Sequence, residues 1–205
     1  MTKEKTQRKH FLETLSVLHW VLTFLFFGLT CSILMVYLMF TSLWPLSALY
    51  FVWLVLDWDT PERAINYVNP LVSLFSAQLV KTAELNPNKN YVLGCHPHGI
   101  MSCGAFSAFS TKSCGFAELF PGLRCRLAIL AGLFRIPLMR EYIMGAGLLP
   151  VSKASLEHLL SKSGKGNAVV IVVGGAAESL ASSPGVNTVV VRNRKGFVRL
   201  ALQYG

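Results

Sequence analysis

The first quarter of the chain is almost purely apolar, whereas the rest mixes apolar and polar stretches. Thr14–Leu56 contains no Asp, Glu, Lys or Arg. Within it, Leu18–Phe40 is long enough to cross a hydrocarbon core as one helix, and Leu46–Leu56 is a shorter apolar run. Pro45 lies between them and disfavours helix at the residue before it. The pattern predicts a transmembrane or re-entrant helical hairpin over residues 14–56.

Short β-type runs and helical patterns follow the polar stretch that begins at Asp57. The expected strands are Tyr91–Cys95, Ala168–Val173 and Thr188–Val191, and the expected helices are Ser155–Ser161 and Val198–Gln203. Strands that alternate with helices are typical of α/β domains. We therefore expect residues 57–205 to form an α/β domain, with the uncharged Ala64–Val80 as an interfacial segment.

Charge near the amino terminus bears on membrane orientation. Lys3, Lys5, Arg8 and Lys9 precede the apolar run, so the positive-inside tendency predicts a cytosolic basic N-terminus over residues 1–13. With a hairpin, the domain after it is cytosolic too. A cleaved signal peptide is the alternative, but the apolar run is too long and no small-residue cleavage site follows it.

Composition narrows the class of protein. Hydrophobic residues make up 53% of the 205 residues and charged residues only 14%, a balance shifted away from soluble proteins. The net charge of +9 suits anionic lipid or a phosphorylated substrate; nucleic acid is disfavoured because no binding module is recognisable. The five cysteines include no Cys-x-x-Cys pair, so we expect neither a disulfide framework nor a zinc site, and a reducing compartment.

The tetrapeptide His96-Pro97-His98-Gly99 follows the first expected strand. Pro97 restricts the backbone, and Gly99 permits conformations that other residues resist. Together they can hold an imidazole rigidly at a strand end. Imidazole suits the removal of a hydroxyl proton near neutral pH, so His96 is the candidate general base. His98 is expected to orient it, contact substrate or assist a developing oxyanion. The alternative is a structural or metal-binding histidine pair, although no further ligand set stands out.

A carboxylate follows the second expected strand. Glu178 comes after the Gly174-Gly175 turn, where it can orient and polarise an imidazole as an acid does in hydrolase triads. The alternative is a helix-start carboxylate stabilised by the helix dipole. A covalent serine mechanism is disfavoured because no Gly-x-Ser-x-Gly elbow occurs. A Cys95 acyl-enzyme is disfavoured because its side chain is expected to point away from His96.

Basic residues cluster near the end of the chain. Arg192, Arg194, Lys195 and Arg199 surround Gly196 at an expected helix start, a combination that suits the phosphates of CoA or an anionic lipid head. The alternative is a solvated charged face.

Together these motifs resemble the diacylglycerol O-acyltransferase type 2 family, which includes monoacylglycerol and wax-alcohol acyltransferases. The matching stretches are Phe40–Pro45, Leu56–Arg63, Asn90–Ile100, Phe120–Gly122, Arg140–Tyr142, Pro150–Ser152, Gly174–Glu178 and Arg192–Arg199. The resemblance implies an α/β domain of the glycerolipid-acyltransferase type behind a membrane hairpin. It also implies an endoplasmic-reticulum membrane enzyme, with lipid droplets as a further location and both termini cytosolic.

The implied reaction is attack of an acylglycerol hydroxyl on acyl-CoA, which is a co-substrate, with no metal and no bound cofactor. We expect His96, His98 and Glu178 to be catalytic. Substrate contacts are expected from Pro97, Gly99, Gly174, Gly175, Arg192, Arg194 and Lys195. The predicted product is triacylglycerol made from diacylglycerol. Monoacylglycerol or a wax alcohol is the alternative acceptor, and a further copy of the chain is left open as a partner.

Two departures from the family pattern lead to a second hypothesis. The Gly-Gly-Arg-Arg stretch expected after Arg63 and the Tyr-Phe-Pro element expected before Lys81 are missing. The chain also stops at Gly205, inside the family's glycerolipid-associated motif, so we expect a C-terminally truncated, incomplete domain. The alternative functions are therefore an inactive form that binds membranes or a full-length homologue, and a hairpin lipid-droplet protein.

Overall fold

A computed structural model describes residues 2–63, 78–112 and 114–204. It begins with a continuous helix made of α1 (Thr2–Leu22), a π-helical turn (Thr23–Phe27) and α2 (Gly28–Met39). Among the described residues, one helix, His10–Met39, is long and apolar enough to cross a membrane by length and composition. The expected interfacial segment, Ala64–Val80, lies almost wholly outside the described residues.

The predicted break before Pro45 is confirmed. The chain turns over residues 40–43, and Pro45 occupies the first turn of α3 (Trp44–Leu56), where its missing amide hydrogen leaves no helical bond unmade. The buried Ser47 hydroxyl donates to the Met35 carbonyl oxygen at 2.9 Å, so α3 packs back along α2.

The rest of the chain is an α/β domain built on four parallel strands. They are β1 (Tyr91–Cys95), β2 (Arg124–Ile129), β3 (Leu149–Pro150) and β4 (Asn167–Val172), in the order β1-β4-β2-β3. Because all four are parallel, their carboxyl ends meet at one edge, hereafter the C-terminal edge. The mixed α/β class is therefore confirmed.

Short helices connect and flank the strands. They are a 3₁₀ turn (Thr60–Arg63), α4 (Cys103–Phe109), α5 (Phe116–Leu119), a second 3₁₀ turn (Ala131–Arg135), α6 (Met139–Gly145), α7 (Lys153–Glu157) with a π-helical extension (His158–Lys162), α8 (Gly175–Leu180) and α9 (Gly196–Tyr204). The expected helices at Ser155–Ser161 and Val198–Gln203 correspond to α7 with its extension and to α9.

The core lies on both faces of the sheet because alternate residues of β4 point in opposite directions. Val170 packs with Phe106 and Phe134 on one face. Val169 packs with Leu156 on the other. This two-sided burial agrees with the continuous apolar run that predicted the strand.

The predicted strand at Thr188–Val191 is wrong. The segment is irregular, and the Val190 amide donates to the Glu178 carboxylate at 2.9 Å rather than to a neighbouring strand. Its β-branched composition favours extended backbone, but Val189 and Val191 are exposed and have no sheet face to cover.

The long N-terminal helix is docked against the α/β domain. His19 Nε2 lies 3.0 Å from the Tyr142 hydroxyl, and the Trp20 ring stacks on Phe106 with centroids 3.8 Å apart. Further along the helix, a Cβ built on Gly28 would lie 3.4 Å from Ile136 Cδ1, so the absence of a side chain permits close packing.

The second helix, α3, is fastened to the same domain by polar contacts. The Tyr50 hydroxyl donates to Glu141 Oε2 at 2.7 Å and accepts from the Leu138 amide at 2.8 Å. Beyond the helix, the buried Arg140 guanidinium donates to Asp57. Both apolar helices are therefore parts of one structure with the sheet.

Candidate active site

The loop between β1 and α4 carries the two histidines. The His96–Pro97 peptide is cis, and Gly99 has a φ of 68°, in the left-handed region that favours glycine. His96 is exposed, and its Cε1 atom lies 3.9 Å from where a Cβ on Gly94 would stand. Within the described part of the chain, no group hydrogen-bonds the His96 imidazole. The loop therefore presents one free imidazole at the C-terminal edge.

His98 is in the opposite situation, with a side chain only 1% exposed. Its Nδ1 lies 2.7 Å from the Gly99 carbonyl oxygen and 3.2 Å from Ser102 Oγ. Because a carbonyl oxygen can only accept, Nδ1 carries the hydrogen and donates it. Its Nε2 faces Glu178 Oε1 at 3.6 Å. Both ring nitrogens thus face groups of the protein rather than solvent.

Glu178 is buried and connects three separate segments of the chain. Its Oε1 accepts from the His98 amide at 3.1 Å, and its Oε2 accepts from the Val190 amide at 2.9 Å. Hydrogen bonds to an ionised acceptor are stronger than neutral ones. The carboxylate therefore fixes the histidine loop, the start of α8 and the segment around Val190 relative to one another.

The double glycine before Glu178 has a steric reason. Gly174 has a φ of 96°, and a Cβ there would lie 2.7 Å from the Glu178 Cβ, closer than real Cβ atoms come. Gly175 has a φ of 55°, but a Cβ there would meet nothing within 4 Å. Only Gly174 therefore makes room for the folded-back carboxylate.

Two serines that the sequence analysis did not single out hold the histidine loop. Ser179 Oγ lies 3.3 Å from both the Gly99 and the Ile100 carbonyl oxygens, and so joins α8 to the loop. Ser102, with a φ of 52°, brings its hydroxyl to His98 Nδ1. Serines are frequent in the chain, and the only signal was their closeness in sequence to Glu178 and His98.

Arg194 is the member of the basic cluster that the structure brings to this site. Its Nη2 donates to the Gly174 carbonyl oxygen at 3.2 Å. Arg192 and Lys195 are exposed beside it, just before α9.

The Cys95 thiol precedes the histidine loop. Burial raises its pKa, and the nearby Glu178 charge raises it further. The thiol is therefore protonated near neutral pH, which disfavours a cysteine nucleophile. Among the described residues, no group of three His, Cys, Asp or Glu side chains could hold a metal ion.

The family model for diacylglycerol acyltransferase matches residues 36–205, which include the whole site. The chain belongs to the diacylglycerol acyltransferase family. Diacylglycerol O-acyltransferase 2 of Xenopus laevis is 50% identical over 203 residues, which are 95% of this chain and 56% of the relative. The protein of the same name from Homo sapiens is 49% identical over 214 residues, 100% of this chain and 55% of the relative.

A third relative has a different name. 2-Acylglycerol O-acyltransferase 3 of Homo sapiens is 52% identical over 213 residues, 100% of this chain and 62% of the relative. The chain thus spans a little over half the length of these curated relatives. No solved structure matches the chain. The family predicted from the motifs is confirmed.

In this family member, the predicted site residues fall into two groups. Those that the structure links by direct contacts are His98, Gly99, Gly174, Glu178 and Arg194. His96 and Pro97 lie on the same loop but are exposed. A Cβ on Gly175 would meet nothing within 4 Å. Among the described contacts, none joins Arg192 or Lys195 to the other site residues.

Proposed function

We propose that this chain transfers a fatty acyl group from acyl-CoA to the free hydroxyl of diacylglycerol and so forms triacylglycerol. Support comes from the family and from relatives named diacylglycerol O-acyltransferase 2. The relative named 2-acylglycerol O-acyltransferase 3 favours monoacylglycerol as the second candidate acceptor.

One observation carries the proposal. The His96 imidazole is exposed at the C-terminal edge, where ligands of open parallel sheets bind, and hydrogen bonds from other segments hold its loop in place. The fixing groups are Glu178 and Ser179. A rigid loop with one free imidazole suits general base catalysis, because the base must hold its position while its substrate arrives.

In the proposed reaction, His96 takes the proton of the lipid hydroxyl as its oxygen attacks the thioester carbonyl carbon of acyl-CoA. A C–O bond forms, and the carbonyl oxygen becomes an oxyanion. When the carbonyl reforms, the C–S bond breaks, and the CoA thiolate takes the proton back from His96. The products are an ester and CoA, and neither an oxidant nor a metal enters the balance.

His98 and Glu178 have positioning roles in this proposal. Nδ1 of His98 donates to the Gly99 carbonyl oxygen, and its Nε2 is buried without a hydrogen-bond partner, so a lipid hydroxyl reaches the ring only if the loop moves. We assign the pair to holding the His96 backbone. Arg192, Arg194 and Lys195 are assigned to the phosphates of CoA, since cations beside the start of α9 attract anions.

We further propose a re-entrant rather than a spanning membrane segment. Contacts with the domain run along the long helix from His19 to at least Gly28, which leaves at most Leu29–Met39 to enter the membrane. At about 1.5 Å per residue this piece reaches roughly 16 Å, against a hydrocarbon core of about 30 Å. Both termini are then on one side, proposed as the cytosolic face of the endoplasmic reticulum or a lipid droplet.

The test is turnover by the purified, detergent-solubilised chain supplied with diacylglycerol and oleoyl-CoA. We expect triacylglycerol from the unaltered chain and a loss of about 10²–10⁴-fold in His96→Ala, the usual contribution of general base catalysis. His10→Ala, an equal deletion at an exposed position of α1, is the control and should keep full turnover. Equal rates in the two variants would remove His96 from the mechanism.

Competition between acceptors separates the two candidate functions. Diacylglycerol, monoacylglycerol and a fatty alcohol are supplied together at equal concentrations, and the products are quantified. With an isotope-labelled oleoyl group on the CoA, labelled diacylglycerol as the main product would favour the second candidate. Absence of any ester product from a folded chain would instead favour the alternative of a membrane-binding form without activity.

A further inference from the structure

An exposed apolar side chain lies on the segment that leaves the carboxyl end of each of the four strands. Ile100 follows β1 and is 68% exposed, and Leu130 follows β2 and is 67% exposed. Val151 follows β3 and is 38% exposed, and Leu180 ends the helix after β4 and is 88% exposed. Single exposed apolar residues are ordinary, but four of them on the segments that leave one edge of the sheet favour an interaction surface there.

Contacts made by the chain just after the apolar helices relate this edge to the membrane segment. Beyond α3, the Arg135 guanidinium stacks over the Trp58 ring at 4.0 Å. Glu62 accepts from Ser152, which lies two residues beyond β3.

Because Arg135 and Ser152 lie on the segments that leave the carboxyl ends of β2 and β3, the chain leaves α3 at the C-terminal edge. The second apolar helix therefore ends on the side of the domain that carries His96.

Basic side chains also lie at this edge. Arg194 reaches the Gly174 carbonyl oxygen just after β4, and Arg192 and Lys195 are exposed beside it. Apolar side chains flanked by cations fit the interface of a bilayer that contains anionic lipids.

We infer that the C-terminal edge is itself a membrane-docking surface, on which Ile100, Leu130, Val151 and Leu180 enter the bilayer interface around His96. Under the proposed function, the lipid alcohol then reaches the imidazole from the membrane without passing through water. The identity of the substrate rests on the proposed function, whereas the docking rests on the geometry of the edge.

Photo-crosslinking tests the inference on the whole chain. The protein is reconstituted into phosphatidylcholine–phosphatidylserine vesicles that contain a phospholipid with a diazirine near the carboxyl end of its acyl chain, and adducts are mapped by mass spectrometry. We expect adducts on peptides containing Ile100, Leu130 and Leu180 as well as on the apolar helices. Peptides at the opposite edge of the sheet, residues 86–90 and 161–166, should stay unlabelled.

Matched substitutions sharpen the result. Leu130→Glu and Leu180→Glu should reduce adducts at the edge several-fold, while Lys165→Glu, exposed at the opposite edge, should leave them unchanged. A thermal unfolding midpoint for each variant shows whether it is folded, and the adduct map of the unaltered chain stands independently of them.

Two results would overturn the inference. The first is adducts confined to residues 10–56, and the second is protein–protein crosslinks across the edge in place of lipid adducts. His96→Ala separates this inference from the proposed function: lipid adducts at the edge of an inactive variant support the docking surface whether or not the unaltered chain makes triacylglycerol.

Discussion

Replacing Gly174 by alanine tests whether the folded-back carboxylate of Glu178 shapes the site. The new Cβ would stand 2.7 Å from the Glu178 Cβ at a backbone φ of 96°. Gly175→Ala is the matched control, because it places a Cβ at a positive φ of 55° in open space. Both variants place a side chain on backbone of positive φ, and only the first adds a collision.

The magnitudes follow from these two terms. Left-handed backbone costs a non-glycine residue about 1–2 kcal/mol. Overpacking adds about 1–3 kcal/mol in Gly174→Ala alone. In a chain of this size, 1 kcal/mol corresponds to roughly 2–4 °C in the unfolding midpoint. We therefore expect Gly174→Ala to unfold about 2–12 °C below Gly175→Ala.

Activity gives a second measure of the same collision. The neighbouring turn must move by roughly 1 Å to reach ordinary contact, and a misplacement of that size can cost about 10²-fold in rate. Thermal unfolding followed by tryptophan fluorescence in detergent, and triacylglycerol formation below both midpoints, provide the readouts. Equal midpoints and equal rates in the two alanine variants would refute the steric role of Gly174.

Two further predictions concern stability and reactivity. Asn90→Ala should lower the free energy of unfolding by about 1–3 kcal/mol, because the buried Asn167 amide then loses the acceptor it has at 2.9 Å. Turnover per folded molecule should not change, since Asn90 precedes β1 at the opposite edge. A large fall in that turnover would contradict this prediction. The raised pKa of Cys95 keeps its thiolate scarce, so iodoacetamide at pH 8 should label it slowly and faster as pH rises. Glu178→Gln removes a negative charge that raises the Cys95 pKa, so it should speed the labelling of Cys95. Cys125, whose pKa burial raises to about 12, should stay unlabelled. Slower labelling of Cys95 in Glu178→Gln would contradict the assigned effect of that charge.

Much of the fold was predictable because buried strands are rich in apolar residues. The apolar run at Ala168–Val173 and the run at Tyr91–Cys95 both form strands, shifted by at most one residue. The strand at Arg124–Ile129 was missed because its first half alternates arginines with Cys125 and carries little apolar signal. Its pairing with β4 is a tertiary effect that local composition does not record.

The sequence was sufficient to name candidate site residues but not to predict the contacts between them. His96, His98 and Glu178 stood out because each follows a strand or its turn. That the carboxylate contacts His98 rather than the His96 imidazole depends on the path of the loop that carries both histidines. Ser179 and Ser102 act through hydroxyl distances, and no sequence pattern encodes those distances.

The contacts of Glu178 tie the site to a stretch of chain that carries no catalytic side chain. Residues 181–189 run exposed between α8 and the Val190 amide, which occupies one of the two carboxylate oxygens. A single proteolytic cut in that stretch would let the Val190 amide leave the Glu178 carboxylate. The histidine loop, which lies almost a hundred residues earlier and is bound to the same carboxylate, would then become more mobile. Under the proposed function, limited digestion should therefore abolish triacylglycerol formation well before it unfolds the sheet.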